Sequence, residues 1–214
     1  MARQLRTQSS GDVVHVTARG NRRQEIFRDD TDRARLIALL DAACERSKWR
    51  LHAYCLMPNH YHLTLQPGQP NLSEAMRRLN GNYGLWWNRR HQRVGHVFQG
   101  RFRDQIVDRD SYLFAVTRYV LMNPVRARLV KQPGEWLWSS YRATAGLAET
   151  PPFLSPSLTL RLFGDDAEAE LRVRFRTFVS TVEDDPARVD RIRSGESVLG
   201  PRAFKAEVAA FSHS

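Results

Sequence analysis

An α+β sandwich with a mainly antiparallel sheet is the fold class the sequence predicts. Strand-like and helix-like segments alternate in the order β, α, ββ, α, β, α. The adjacent central strands are joined by Pro58-Asn59, where proline sets φ and asparagine tolerates unusual backbone angles, so they form a β-hairpin. The helical segments place apolar residues at the spacing of one helix face.

Taken in order, "VVHVTARGN" (residues 13–21) alternates and is rich in β-branched residues. It reads as a strand with Val14 and Val16 facing one way and His15 and Thr17 the other, closed by Gly20-Asn21. Residues 31–48 repeat Leu36, Leu39, Leu40 and Ala43 at helical spacing, with Asp30 or Thr31 as N-cap. "RLHAYCLM" and "HYHLTLQ" are the two strands of the β-hairpin. "PNLSEAMRRLNGNYGLWWNRRHQ" opens on Asn71 as cap with Glu74 three residues on, and carries Leu72, Met76, Leu79 and Tyr83 on one stripe. Gly81 and Gly84 leave room for a kink. "GHVFQGRFRDQIV" reads as one or two short strands around Gly100. "RDSYLFAVTRYVLMNP" reads as a third helix, capped by Asp110 and stopped by Pro124. Residues 125–146 are irregular, with Trp136 and Trp138 anchoring them to the core. "ETPPFLSPS" is a linker, and an amphipathic helix within "DDAEAELRVRFRTFVSTVEDD" precedes polar sequence.

At 214 residues and 42% hydrophobic, the chain supports one substantial core. It has no apolar run near the ~20 residues that a membrane span needs. No signal-peptide pattern is visible, and cytoplasm is the expected location. Cys44 and Cys55, the two cysteines, fit neither a redox pair nor a paired zinc-binding motif, which leaves buried free thiols. The net charge is +10, and 30 of the 33 basic residues are arginine, whose planar fork matches phosphate. Through Gly146 the chain has 24 basic against 12 acidic residues, whereas the remainder has 9 against 11. The positive field, and with it any nucleic-acid contact, belongs to the front two-thirds.

The chemistry-bearing stretch is "CLMPNHYHLTL". On a strand, His60, His62 and Thr64 point one way while Tyr61, Leu63 and Leu65 point the other. Two imidazoles then stand side by side opposite a buried face, a bidentate metal geometry that still lacks a third ligand. On the third helix, Tyr119 and Asn123 are four residues apart and share a face. An amide oxygen is a hard donor, so a His, His, Asn set suits Mg²⁺ or Mn²⁺ better than structural zinc.

These residues carry a resemblance. "MPNHYHL" resembles the HUH motif, two histidines around a bulky residue, and "RYVLMNPVRARLV" resembles the tyrosine helix of single-tyrosine HUH transposases. "VVHVTARGNRRQEIF", "GHVFQGRFRD" and "EWLWSSYRA" resemble, in order and wording, the REP-associated tyrosine transposases. The likeness runs from Val13 to Gly146. It implies a ferredoxin-like sheet flanked by helices as a catalytic domain over residues 1–146, followed by a linker and helical extension over 147–214. The implied activity is a Mg²⁺- or Mn²⁺-dependent endonuclease and strand-transferase acting on single-stranded, hairpin or repetitive palindromic DNA. It would work through a 5′-phosphotyrosine intermediate, the chemistry of DNA transposition. Position by position, His60 and His62 would be metal ligands, Tyr119 the nucleophile and Asn123 the amide-bearing ligand. Several relatives have glutamine at that last position, and Tyr61 stands where the motif often has an aliphatic residue.

A phenol with pKa near ~10 is protonated at neutral pH, so a metal and a cation must favour the phenolate. Arg126, or an arginine of the Arg101/Arg103 pair, is the expected cation, since Arg118 points away from its neighbour on the helix. Arg19, Asn21, Arg22 and Arg23 on the first turn, with Arg89, Arg90, Arg101, Arg103 and Arg126, are candidate DNA contacts. Tyr112, seven residues before Tyr119, is the rival nucleophile. A non-cleaving DNA hairpin-binding protein, a replication initiator or relaxase of the same chemistry, and a zinc-dependent structural domain are the competing readings. Monomer and homodimer both remain open.

Overall fold

The computed structural model describes residues 12–69, 71–181 and 185–211. Residues 182–184, at the end of the amphipathic stretch, lie outside them. The chain runs β1 (Val13–Arg19), α1 (Asp30–Ser47), β2 (Arg50–Met57), β3 (His60–Gln66), α2 (Leu72–His91), β4 (Arg103–Val107) and α3 (Arg109–Leu121). Its first six elements are the β-α-β-β-α-β order of a ferredoxin-like unit. Then follow α4 (Asn123–Arg126), α5 (Tyr141–Thr144), α6 (Ser157–Arg161), α7 (Glu168–Thr181), α8 (Pro186–Ser194), β5 (Val198–Leu199) and α9 (Arg202–Phe211). The strand order is β2-β3-β1-β4-β5. The first four strands pair antiparallel, and β5 adds to β4 in parallel.

Alternation along each strand sends one set of side chains to each face of the sheet. Val14, Val16, Tyr61, Leu63 and Leu65 meet Leu36 and Leu40 of α1 and Met76, Leu79 and Tyr83 of α2. Each large side chain so buried contributes about 2 kcal/mol. The other face carries Val13, Ala53, Cys55 and Met57 under Leu113, Val116 and Val120 of α3, with Val189 and Ile192 of α8. The sheet is therefore covered on both sides. The face that bears the two histidines is not open surface but the floor beneath α3, and His62 is only 3% exposed.

Several local expectations shift. The N-cap of α1 is Asp29, whose carboxylate accepts from the Asp32 N–H, one residue before the expected cap. Asn71 makes no side-chain cap, and Glu74 pairs with Arg77 and Arg78. Glycines 81 and 84 sit inside one continuous 20-residue α2. Asp108 rather than Asp110 precedes α3, and Pro124 does not end helical structure: it occupies the first turn of α4, where its missing N–H is harmless. The aromatic anchoring holds, with Trp136 Nε1 donating to the Leu56 carbonyl at 3.1 Å. Bridges from Ser139 to Cys55 and from Leu154 to Leu51 cover the β2 edge, which would otherwise expose unpaired backbone groups. Both cysteines are buried and unbridged.

Candidate active site

The site forms where β1, β3, β4 and α3 converge. In the β1–β3 register Thr17 lies opposite His62 and Arg19 opposite His60. His15, two residues from Thr17 on the same face, reaches His62 diagonally, its Nε2 2.9 Å from His62 Nδ1. Helix α3 crosses above and lowers Tyr119 onto the pair. The Tyr119 ring stands at 90° to the His62 ring with centroids 5.6 Å apart, and 6.2 Å from His15. His60 lies beside His62 at 5.0 Å, edge to face.

Burial governs the state of these rings. Desolvation, opposed by the Gln105 hydrogen bond, pushes His15 down to about 4. Burial, reinforced by Arg19, pushes His60 down to about 4 as well. His62 is likewise held well below its ordinary value, by burial first and then by His60, His15, Arg19 and Arg126. Neutral imidazoles are what metal ligation requires.

A cleft of about 300 Å³ opens over His62 and Tyr119. Its walls carry Arg19, Arg101 and Arg103, with Arg193 from the end of α8. Buried His62 Nε2 has no hydrogen-bond partner, the mark of a nitrogen waiting for a ligand from outside the protein. The donors present therefore fit a divalent ion at His62 with His60 beside it. Among the described residues no group of three His, Cys, Asp or Glu side chains could hold a metal. Remaining coordination would fall to oxygen donors, which is the preference of Mg²⁺ or Mn²⁺ and not of structural zinc.

Helix α3 ends at Leu121, and Asn123 opens α4. Its amide nitrogen donates to the Tyr119 carbonyl at 2.7 Å, capping the helix end that carries the phenol. Arg126 donates to the same carbonyl at 2.8 Å and lies over the Tyr119 ring at 5.0 Å. Of the candidate cations, Arg126 is thus the one on the phenol. Tyr112 is turned elsewhere: its hydroxyl takes a hydrogen bond from Arg191, and Arg188 and Arg191 lie over its ring.

The remaining basic candidates divide. Arg22 and Arg23 are exposed, with left-handed φ of 52° and 60°, in the turn beside the β2–β3 loop. Gly20 makes that turn possible, since a Cβ there would lie 2.1 Å from the Gln24 carbonyl oxygen. Arg89 is exposed at the end of α2. Arg90 is engaged internally, pairing with Asp29 at 2.8 Å and with buried Asp32 at 2.5 Å. It clamps α2 to α1. Asn21 lines a wider groove between α2 and residues 95–102, floored by Met76, Phe98 and Phe102. Gln99, Gly100 and Arg101 border both groove and cleft.

Sequence reasoning left His15 without a role and did not single out Thr17, Gln105 or Arg193. Alternation on β1 does place His15 and Thr17 on one face, but only the strand register brings that face beside His62. Nothing in the sequence announces Arg193.

The family model described as IS200-like transposase matches residues 9–123. No curated protein matches the chain significantly. Among solved structures, the chain is similar to a REP-associated tyrosine transposase bound to a REP hairpin. The TM-score is 0.59 and the identity 18%, covering 72% of this chain and 92% of the other. At that identity the likeness speaks for the fold, whereas the family model spans more than half of the sequence, and on that basis the chain belongs to the IS200-like transposase family.

Proposed function

We propose that the protein cleaves and rejoins single-stranded DNA next to hairpin structures, with Tyr119 as nucleophile and His60 and His62 holding a divalent ion, Mg²⁺ or Mn²⁺. The observation that carries this reading is the Tyr119 ring packed edge-on against a histidine whose Nε2 is buried and unpartnered, inside an arginine-walled cleft.

Bound there, the ion would polarise a non-bridging oxygen of the scissile phosphate. The Tyr119 oxygen forms a bond to phosphorus as the bond to the 3′ oxygen breaks, and the proton lost by the phenol is matched by the one gained by the departing 3′-hydroxyl. The 5′-phosphotyrosine keeps the energy of the broken link, so a second 3′-hydroxyl can reverse the step and join new strands. Arg126, over the phenol ring and bonded to the Tyr119 carbonyl, holds the nucleophile in place and adds positive charge beside the scissile phosphate. Arg19, Arg101 and Arg103 neutralise backbone phosphates, and the apolar groove beyond Gln99–Arg101 suits unstacked bases of the flanking strand. Asn123 caps the Tyr119 helix through its amide nitrogen, and its amide oxygen is the atom it would offer to a metal.

The solved relative was captured with a REP hairpin, which supports hairpin DNA as the partner. Among the described residues no helix is long and apolar enough to cross a membrane; the cytoplasm is the proposed location. Incubation with a DNA hairpin bearing single-stranded flanks and Mn²⁺ or Mg²⁺ is expected to yield a covalent protein–DNA adduct that Tyr119→Phe abolishes. Tight, salt-sensitive hairpin binding with no adduct under either metal would favour the non-cleaving reading instead.

A further inference from the structure

We propose that Asn59, His15 and Gln105 are positioning residues that hold His60 and His62 in the tautomer whose Nε2 lone pair is open to a divalent ion, and that the backbone at residues 191–196 anchors half of this device. The proposal rests on the metal-binding reading above. It adds which nitrogen of each ring bears the proton, and what fixes it.

For His62 the reasoning starts at a group that can only accept. Gln105 Nε2 lies 2.9 Å from the Glu196 carbonyl oxygen and 3.4 Å from that of Arg191. Turning the amide over would set oxygen against oxygen, so its orientation is determined. Gln105 Oε1 consequently faces His15 Nδ1 at 2.9 Å, and that nitrogen must carry the proton. A neutral ring has one such proton, which leaves His15 Nε2 bare. At 2.9 Å from His62 Nδ1, it must receive the His62 proton. The two rings are only 10° from parallel with centroids 5.1 Å apart, as expected for rings joined edge to edge along their planes. Thr17 Oγ1, 3.1 Å from His62 Nδ1, can share that proton without changing its place. His62 Nε2 is therefore unprotonated, and it is the buried nitrogen that has no partner.

A second relay does the same for His60. Asn59 Nδ2 donates to the Arg23 carbonyl at 2.9 Å, which turns Asn59 Oδ1 to His60 Nδ1 at 2.6 Å. His60 Nδ1 is then the protonated nitrogen and Nε2 the bare one. Two carboxamides, each oriented by a backbone carbonyl, impose the same tautomer on neighbouring rings. Outer partners of this kind govern metal affinity by about 10- to 100-fold. One of the anchors lies at Glu196, far beyond the residues matched by the family model.

The test is the metal-free full chain, ¹⁵N-labelled, examined by long-range ¹H–¹⁵N correlation at pH 7.5. The expected spectrum has protonated Nδ1 and bare Nε2 on His15, His60 and His62. Protonated Nε2 on His60 or His62 would overturn the proposal, and this measurement needs no variant. Gln105→Leu removes the acceptor opposite His15; His62 should then populate both tautomers, and Mn²⁺ affinity read by electron paramagnetic resonance should fall by about tenfold or more. A His62 tautomer unchanged in Gln105→Leu would also overturn it. Because the tautomers are read without metal or DNA, expected tautomers without Mn²⁺ binding would defeat the metal reading alone.

Discussion

Tyr119 meets His62 edge to face, ring centroids 5.6 Å apart, although the two residues come from different elements on either side of a packed layer. Helix α3 is held over that face by Leu113, Val116 and Val120, so the phenol's position is a consequence of core packing and not of a mobile loop.

Arg126 makes two contacts with the same residue, over the ring and on the carbonyl. Arg126→Ala is expected to slow adduct formation about tenfold while costing no more than about 1 kcal/mol of stability, given the usual worth of a cation–π contact. Single-turnover kinetics beside a thermal melt check this, and an unchanged cleavage rate would remove Arg126 from the chemistry.

Salt dependence separates phosphate contacts from internal clamps. Arg101→Ala and Arg103→Ala should each weaken DNA-hairpin binding and reduce the slope of log affinity against log salt by about 0.7–0.9, since each removes one neutralised phosphate. Arg90→Ala should leave that slope alone, because its guanidinium is paired with Asp29 and Asp32. Binding titrations between low and moderate salt supply the slopes.

Asp32 is the hub of the α1–α2 clamp: its buried carboxylate accepts from the Arg28 N–H, Arg90 and His91. Asp32→Ala should cost about 3 kcal/mol, the scale for removing one partner of a buried charge cluster. Arg89→Ala, on the exposed end of α2, should stay within about 0.5 kcal/mol. Urea unfolding of both variants decides it, and equal losses would contradict the clamp.

The pH profile of the metal-free chain has a defined sign. His15 and His60 sit at about 4 in the folded chain against an ordinary value of 6.5. Between those values the unfolded chain takes up protons that the folded chain refuses. Their contribution to stability is therefore complete above pH 6.5 and is lost as the pH falls towards 4. The depressed carboxyl of Glu74, held at about 2 by Arg77 and Arg78, adds a further loss only below its ordinary 4.5. Urea midpoints should decline from pH 7 to 4.5; a flat profile over that range would contradict the burial assigned to the imidazoles.

Legibility followed the range of the interactions. The β-hairpin around Pro58-Asn59, the amphipathic helices, and the pairing of His60 with His62 on one face are set by neighbours in sequence, and all were readable. That His15 completes the pair depends on the β1–β3 register, which period-2 alternation alone does not specify. The i to i+4 spacing of Tyr119 and Asn123 does not reveal the break at Met122, where α3 gives way to α4. Arg193 and the Glu196 carbonyl are invisible in the sequence, since they reach the site only through tertiary contacts that local patterning does not carry.

The measurement that bears most directly on the central claim is mass-spectrometric mapping of the tyrosine left bonded to DNA after reaction with a hairpin substrate and Mn²⁺. The account predicts a nucleotide on the peptide containing Tyr119, no adduct in Tyr119→Phe, and an undiminished adduct in Tyr112→Phe. A nucleotide on Tyr112, or an adduct that survives in Tyr119→Phe, would contradict it.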